Sequence, residues 1–282
     1  MRKISDIVRE LEEVKSRLEQ LYKCLQEGNN YNCLTEFYNN VKDIRNRIIN
    51  NIRMIATYGA EVNGNDTPLY LSEFTSRFFE LFLNSVEKIL MVPQNVDKNS
   101  ESVRELFDIV RIDLRNIIGD LDYLLSSIAD APDVDVVGNC IILSGNVSNE
   151  VERNCTLSPL PILYNDGKYI IYVPKISKGI LKIVTEKNKV SVESSGLFTE
   201  SEEIALSRLG CNVKSSDYAE CISDTPVDFS KQLSNVLYLV NNERISMPGI
   251  ELIINSMIRS DFDLDRDVPL DLNWRNYIRR IM

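Results

Sequence analysis

Apolar side chains at Ile4, Ile7, Leu11, Val14, Leu18, Leu21 and Leu25 follow one another in alternating steps of three and four. That period places them on one side of a helix packed against other helices. A polar break at "EGNNYN" ends it. Phe37, Val41, Ile44, Ile48, Ile52 and Ile55 then form a second stripe, with Thr35 in position to cap its first turn. Thr67 followed by Pro68 predicts the start of a third helix carrying Leu71, Phe74, Phe78, Leu81 and Phe82. Ser100 predicts the cap of a fourth, with Val103, Leu106, Val110, Leu114, Ile117, Leu121 and Leu124 on its inner side. Four helices with short connections make a bundle-like domain over 1–131.

Beyond "ADAPDVD" the period shortens to two. "LPILYNDGKYIIYVP" reads as two strands around an Asp-Gly turn, "GILKIVTEKNKVSVES" as a second hairpin, and "GNCIILSGNV" as a further strand. Thr199 and Glu202 form a capping box ahead of the short helix "ESEEIALSRLG", which Gly210 terminates. Residues 132–215 are thus expected to form a smaller β-rich module. Residues 216–282 add two predicted helices, "DFSKQLSNVLYLVNN" and "PGIELIINSMIRS", then an acidic strip and a basic tail. The fold class is α+β: a helical bundle-like domain, a β-rich module and C-terminal helices.

The composition narrows the function classes. With 282 residues, 44% of them hydrophobic, the chain is long enough for one large core or two smaller ones. A net charge of −10 opposes broad adhesion to nucleic acid or to anionic membranes. Arg45, Arg47 and Arg53 are expected to form a solvent-facing stripe rather than a phosphate-binding one. No apolar run is long enough to span a bilayer, and "MRKISDIVRELEEV" turns charged too soon for a signal peptide, so a cytoplasmic location is expected. The chain has no histidine, which removes the commonest general base and most transition-metal sites. The six cysteines show no C-x-x-C spacing and are expected to pack as buried thiols. Pairing of Cys24 with Cys33, or of Cys211 with Cys221, requires an oxidising compartment or a hyperthermophile. No cofactor is expected.

The densest set of carboxylates is "DFDLDRDVPLD". Asp261, Asp263, Asp265 and Asp267 match the first spacings of a calcium loop, but Arg266 stands where that loop needs glycine and Leu272 where it needs glutamate. The alternate residues Phe262, Leu264, Val268, Leu270, Leu272 and Trp274 are apolar, so the segment reads as two-faced, with its aspartates in water or against a basic partner. A magnesium-dependent phosphoryl-transfer enzyme built on Asp261, Asp263 and Asp265 is the rival reading. A viral or mobile-element structural protein is a third.

The helix leading through "NYNCLTEFYNNVKDI" to a second helix resembles a segment of archaeal GINS subunits, in which a Leu-Pro-x-x-Phe-Tyr turn opens the helix. Leu34, Phe37 and Tyr38 stand in the matching places, without the proline. "SGLFTESEEIALSRLGCNV" is similar to that family's closing stretch, and the likeness covers about residues 4–215. The resemblance implies a non-enzymatic scaffold of a replication complex, one of four subunits joining the replicative helicase to a RecJ-like protein. Its partners would be sister subunits in a hetero- or homo-oligomer, and helicase components. Phe37, Tyr38, Asp261, Asp263, Asp265, Trp274 and Tyr277 are the expected partner contacts.

Overall fold

The computed structural model describes residues 2–27, 31–42, 45–64, 82–91, 101–157, 161–174, 179–186, 189–208 and 210–222. The chain divides into two compact units, Met1–Leu163 and Tyr164–Met282. The change of texture at 131 therefore lies inside the first unit.

That unit contains strand β1 (Arg2–Lys3) and helices α1 (Ile4–Glu27), α2 (Tyr31–Lys42), α3 (Arg45–Asn63), α4 (Leu83–Leu90) and α5 (Glu101–Ser126). Strands β2 (Asp135–Val137) and β3 (Cys140–Ser144) and helix α6 (Asn149–Leu157) follow. All seven apolar residues of the first stripe are buried. They face α5, α3 and α2, and α5 also packs on α3 and α4. On α5 the inner line holds from Val110 onward, with Val110, Leu114, Ile117, Leu121 and Leu124 all at 0% exposure, while nearer its start Leu106 is only half-buried and Phe107 is the buried residue there. Burying each such side chain contributes about 1.5–3 kcal/mol, so the two long helices are the main source of cohesion here.

The second predicted stripe is divided between two helices. Helix α2 begins at Tyr31, so Thr35 is inside it and is not its cap. Its hydroxyl donates to the Tyr31 carbonyl at 2.8 Å, the back-bond a mid-helix threonine makes. The predicted starts at Thr67 and Ser100, and both predicted helices beyond 223, lie outside the described residues.

The segment around 131 is pinned rather than loose. Arg2–Lys3 pair antiparallel with Asp135–Val136, and the Ile4 N–H donates to the Val134 carbonyl at 3.0 Å. The Tyr58 hydroxyl reaches the Pro132 carbonyl at 2.7 Å, and Asn63 Nδ2 donates to the Ser127 carbonyl. The Glu10 carboxylate gathers Arg2 at 2.8 Å, Asn51 at 2.9 Å and Arg47 at 3.5 Å, tying β1 and α1 to α3.

Strand β4 (Ile162–Asn165) carries the chain into the second unit, which holds β5 (Lys168–Pro174), β6 (Ile180–Glu186), β7 (Lys189–Ser194), helix α7 (Glu200–Arg208), β8 (Asn212–Ser215) and β9 (Tyr218–Ile222). The strands run β5-β6-β7-β9-β8, each antiparallel to its neighbour. Asp166 and Gly167, both at positive φ, make the tight turn before β5. Thr199 and Glu202 form the expected capping box: each side chain accepts the other's backbone N–H, at 2.8 and 3.2 Å. Gly210, at φ +80°, closes the helix, its N–H donating to the Ser207 carbonyl while Cys211 donates to Leu206.

The cysteines are not thiols. Cys24–Cys33, Cys140–Cys155 and Cys211–Cys221 are disulfide-bonded, and none of the six is left free. Each bond closes a short loop, with sequence separations of 9, 15 and 10. Loops of that size restrict the unfolded chain by about 3 kcal/mol each in the chain-entropy account.

Candidate functional site

Helix α5 presents two faces. Opposite its buried line, Ile109 is 47% exposed, Ile112 61% and Tyr123 42%. The spacing 109, 112, 116, 119, 123 is again three and four, so these residues, with Asn116 and Gly119, form one outer line. Gly119 has nothing near the place a Cβ would occupy, which leaves a flat gap between Ile112 and Tyr123. Acidic and basic groups border the line. Asp108 pairs with Arg111, whose Nε also donates to the Leu25 carbonyl at 3.0 Å, and Asp122 pairs with Lys15 of α1. The hydrogen bond that the Lys15 ammonium donates to Asp122, together with the charge of that carboxylate, raises Lys15 above its ordinary pKa. Both pairs sit at the margin, where water screens them and they fix side-chain positions more than they add stability.

Beside this line a groove of about 350 Å³ lies between α1 and α5, lined by Glu19, Tyr22, Lys23, Arg115 and Ile118. Its donors and acceptors are mixed in sign, with one aromatic and one aliphatic wall. Such a lining suits the polar rim of a protein contact better than a site that concentrates one charge. Among the described residues no group of three cysteine, aspartate or glutamate side chains is placed to hold a metal ion. Among them, too, no helix is long and apolar enough to cross a membrane.

The expected contact residues separate into two groups. Phe37 is 6% exposed and packs edge-on against Phe82 at 5.7 Å between ring centroids, so its ring is committed to the interior of the first unit. Tyr38 is half-buried and its hydroxyl donates to Glu87 at 3.0 Å, joining α2 to α4. Asp261, Asp263, Asp265, Trp274 and Tyr277 lie outside the described residues. Of the arginines, Arg47 is exposed beside Glu10, whereas Arg53 is half-buried, and burial lowers its pKa. Ile109, Ile112 and Tyr123 do not stand out in the sequence, because the stronger stripe on the same helix accounts for its fold. A second apolar line on an already amphipathic helix is the signal that finds them.

These features define an α+β protein with a helical first unit, three disulfides and an apolar line left open on the longest of the described helices. Comparison with known proteins returned no matching family model, no matching curated protein and no matching solved structure.

Proposed function

We propose that the protein is a non-enzymatic assembly subunit that holds partner proteins together through its first helical unit, as a GINS-like component of a replication complex. The observation that carries this reading is the outer line of α5, where Ile109 and Ile112 face solvent in the middle of a 26-residue helix. Exposed isoleucines at helical spacing gain about 25 cal/mol for each Å² of apolar surface removed from water, which favours covering them with another chain. The surrounding charges would then select the orientation of the partner rather than supply affinity. The GINS-like part of the proposal rests on the sequence likeness around Leu34, Phe37 and Tyr38, and on the order of a helical unit before β-strands. A cytoplasmic location belongs to the same reading. With three disulfides, it points to a hyperthermophilic cell, where intracellular proteins keep such bonds.

Light scattering on the full chain during size exclusion, paired with recovery of its partners from native extract, tests the proposal. The wild-type chain is expected to run as an oligomer or to bring replication subunits with it. Ile112→Arg should abolish that association and leave thermal stability within about 0.5 kcal/mol, as for other surface changes. A monomer that recovers no partner and hydrolyses phosphate esters with magnesium would overturn the reading.

A further inference from the structure

The three disulfides differ in their surroundings. Cys140 and Cys155 are 0% exposed, Cys211 is 8% and Cys221 2%. Their two bonds tie β3 to α6 and the residue before β8 to β9, so both lie inside packed structure. Cys24 and Cys33 are half-buried, and their bond joins the last turn of α1 to the first turn of α2. A thiolate must reach a sulfur directly to open a disulfide, so a bond between half-buried cysteines needs less opening of the fold than one between buried cysteines.

We propose that Cys24–Cys33 is a redox-operated clasp on the α1–α2 elbow, opened in the folded protein by a dithiol reductant while the other two bonds stay closed. The reductant's thiolate attacks one sulfur, and the S–S bond breaks. A mixed disulfide forms, and the departing cysteine thiolate takes a proton from water. The second thiol of the reductant then displaces the remaining cysteine. The dithiol leaves as a disulfide, and its two electrons and two protons remain as the Cys24 and Cys33 thiols.

Other contacts decide how far the elbow opens. Leu34, Phe37 and Val41 of α2 are buried on its inner face and do not depend on the bond. Tyr31 stands edge-on to Phe107 at 5.4 Å, and Arg111 holds the Leu25 carbonyl. Opening the clasp therefore leaves α2 docked and removes the covalent tie that adds to these contacts in holding its first turn to the end of α1. That turn leads toward Tyr38 and its bond to Glu87.

The full chain is treated with graded dithiothreitol without denaturant, quenched with iodoacetamide, and its alkylated cysteines are mapped by mass spectrometry. Hydrogen exchange of the amides at 35–38, which bond to the carbonyls of the first turn of α2, is followed in parallel. Cys24 and Cys33 are expected to be alkylated at least tenfold faster than the other four, with faster exchange at 35–38 and unchanged exchange in α5. The double variant Cys24→Ser, Cys33→Ser should show that faster exchange without reductant. Equal alkylation of all six cysteines, resistance of Cys24–Cys33 until denaturant is added, or unchanged exchange at 35–38 after reduction would each overturn the proposal. The wild-type measurements decide even where the double variant does not fold.

Discussion

The carboxylate of Asp133 accepts two hydrogen bonds from Ser5, one from its backbone N–H and one from its hydroxyl, both at 3.0 Å and across 128 positions of sequence. The first N–H groups of a helix have no partner within it, and here a residue from far along the chain supplies one. Asp133→Ala is expected to cost about 1–2 kcal/mol and Ser5→Ala about half that, since the latter keeps the backbone bond. For a chain of this size the first change should lower Tm by roughly 2–6 °C in a calorimetric scan.

A second capping arrangement is wholly local. Glu202 is fully buried and accepts the Thr199 N–H, while Thr199 accepts the N–H of Glu202. Glu202→Ala removes one half of the box and leaves the N–H of half-buried Thr199 unpaired within the protein, an expected loss of about 1–2 kcal/mol. Thr199→Ser, which keeps the acceptor, should stay within about 0.5 kcal/mol. Urea midpoints for the two variants separate the outcomes.

Gly138 turns between β2 and β3 at φ +56°, and a Cβ there would lie 2.8 Å from the Cys155 carbonyl oxygen. The obstacle is backbone held by the Cys140–Cys155 bond, so it cannot swing aside. Gly138→Ala is expected to cost several kcal/mol, more than the roughly 1–2 kcal/mol of the left-handed conformation alone. Gly167→Ala, also at positive φ but with open space around it, should show only that smaller loss. Chemical denaturation of both proteins measures the difference.

Between β7 and β9, Lys189 lies 2.9 Å from Glu220, and the Tyr218 hydroxyl donates to the same carboxylate at 3.1 Å. The Lys189 hydrogen bond, then that of Tyr218, holds the Glu220 pKa below its ordinary 4.5. Its stabilising contribution is complete above that ordinary value and disappears as pH falls through the lowered one. The Glu220 hydrogen bond raises Lys189 above its ordinary 10.5, so that side of the pair is complete below 10.5 and is lost as pH rises through the raised value. Both partners are exposed enough for salt to screen them. Glu220→Gln should flatten the acid limb of a plot of urea midpoint against pH below about 4.5 and leave the neutral region nearly unchanged. An identical acid limb in wild type and variant would exclude this pair as a source of acid sensitivity.

Local chemistry made much of the fold readable in advance. The α1 stripe, the Asp166-Gly167 turn, the capping box and the Gly210 stop each depend on residues within a few positions of one another. What escaped the sequence depends on distant partners. Arg2–Lys3 become a strand only because Asp135–Val136 lie alongside, and nothing within the first three residues signals it. The break between α2 and α3 was hidden because Val41 and Ile48 continue one apolar line across it. The sequence offers Cys24–Cys33 and Cys211–Cys221 as pairs only for an oxidising compartment or a hyperthermophile, and since neither is legible in it, buried thiols are the expectation; Cys140–Cys155 has no local signal at all. The exposed line of α5 was masked by the better-populated line behind it.

The pairing of Arg2–Lys3 with Asp135–Val136 also governs the order in which the first unit is completed during synthesis. Arg2–Lys3 are synthesised before their strand partner, which follows more than 130 positions later. The helices between them have to collapse while that strand still awaits its mate, and joining the two closes a long span at an entropic cost that the local pairings do not carry.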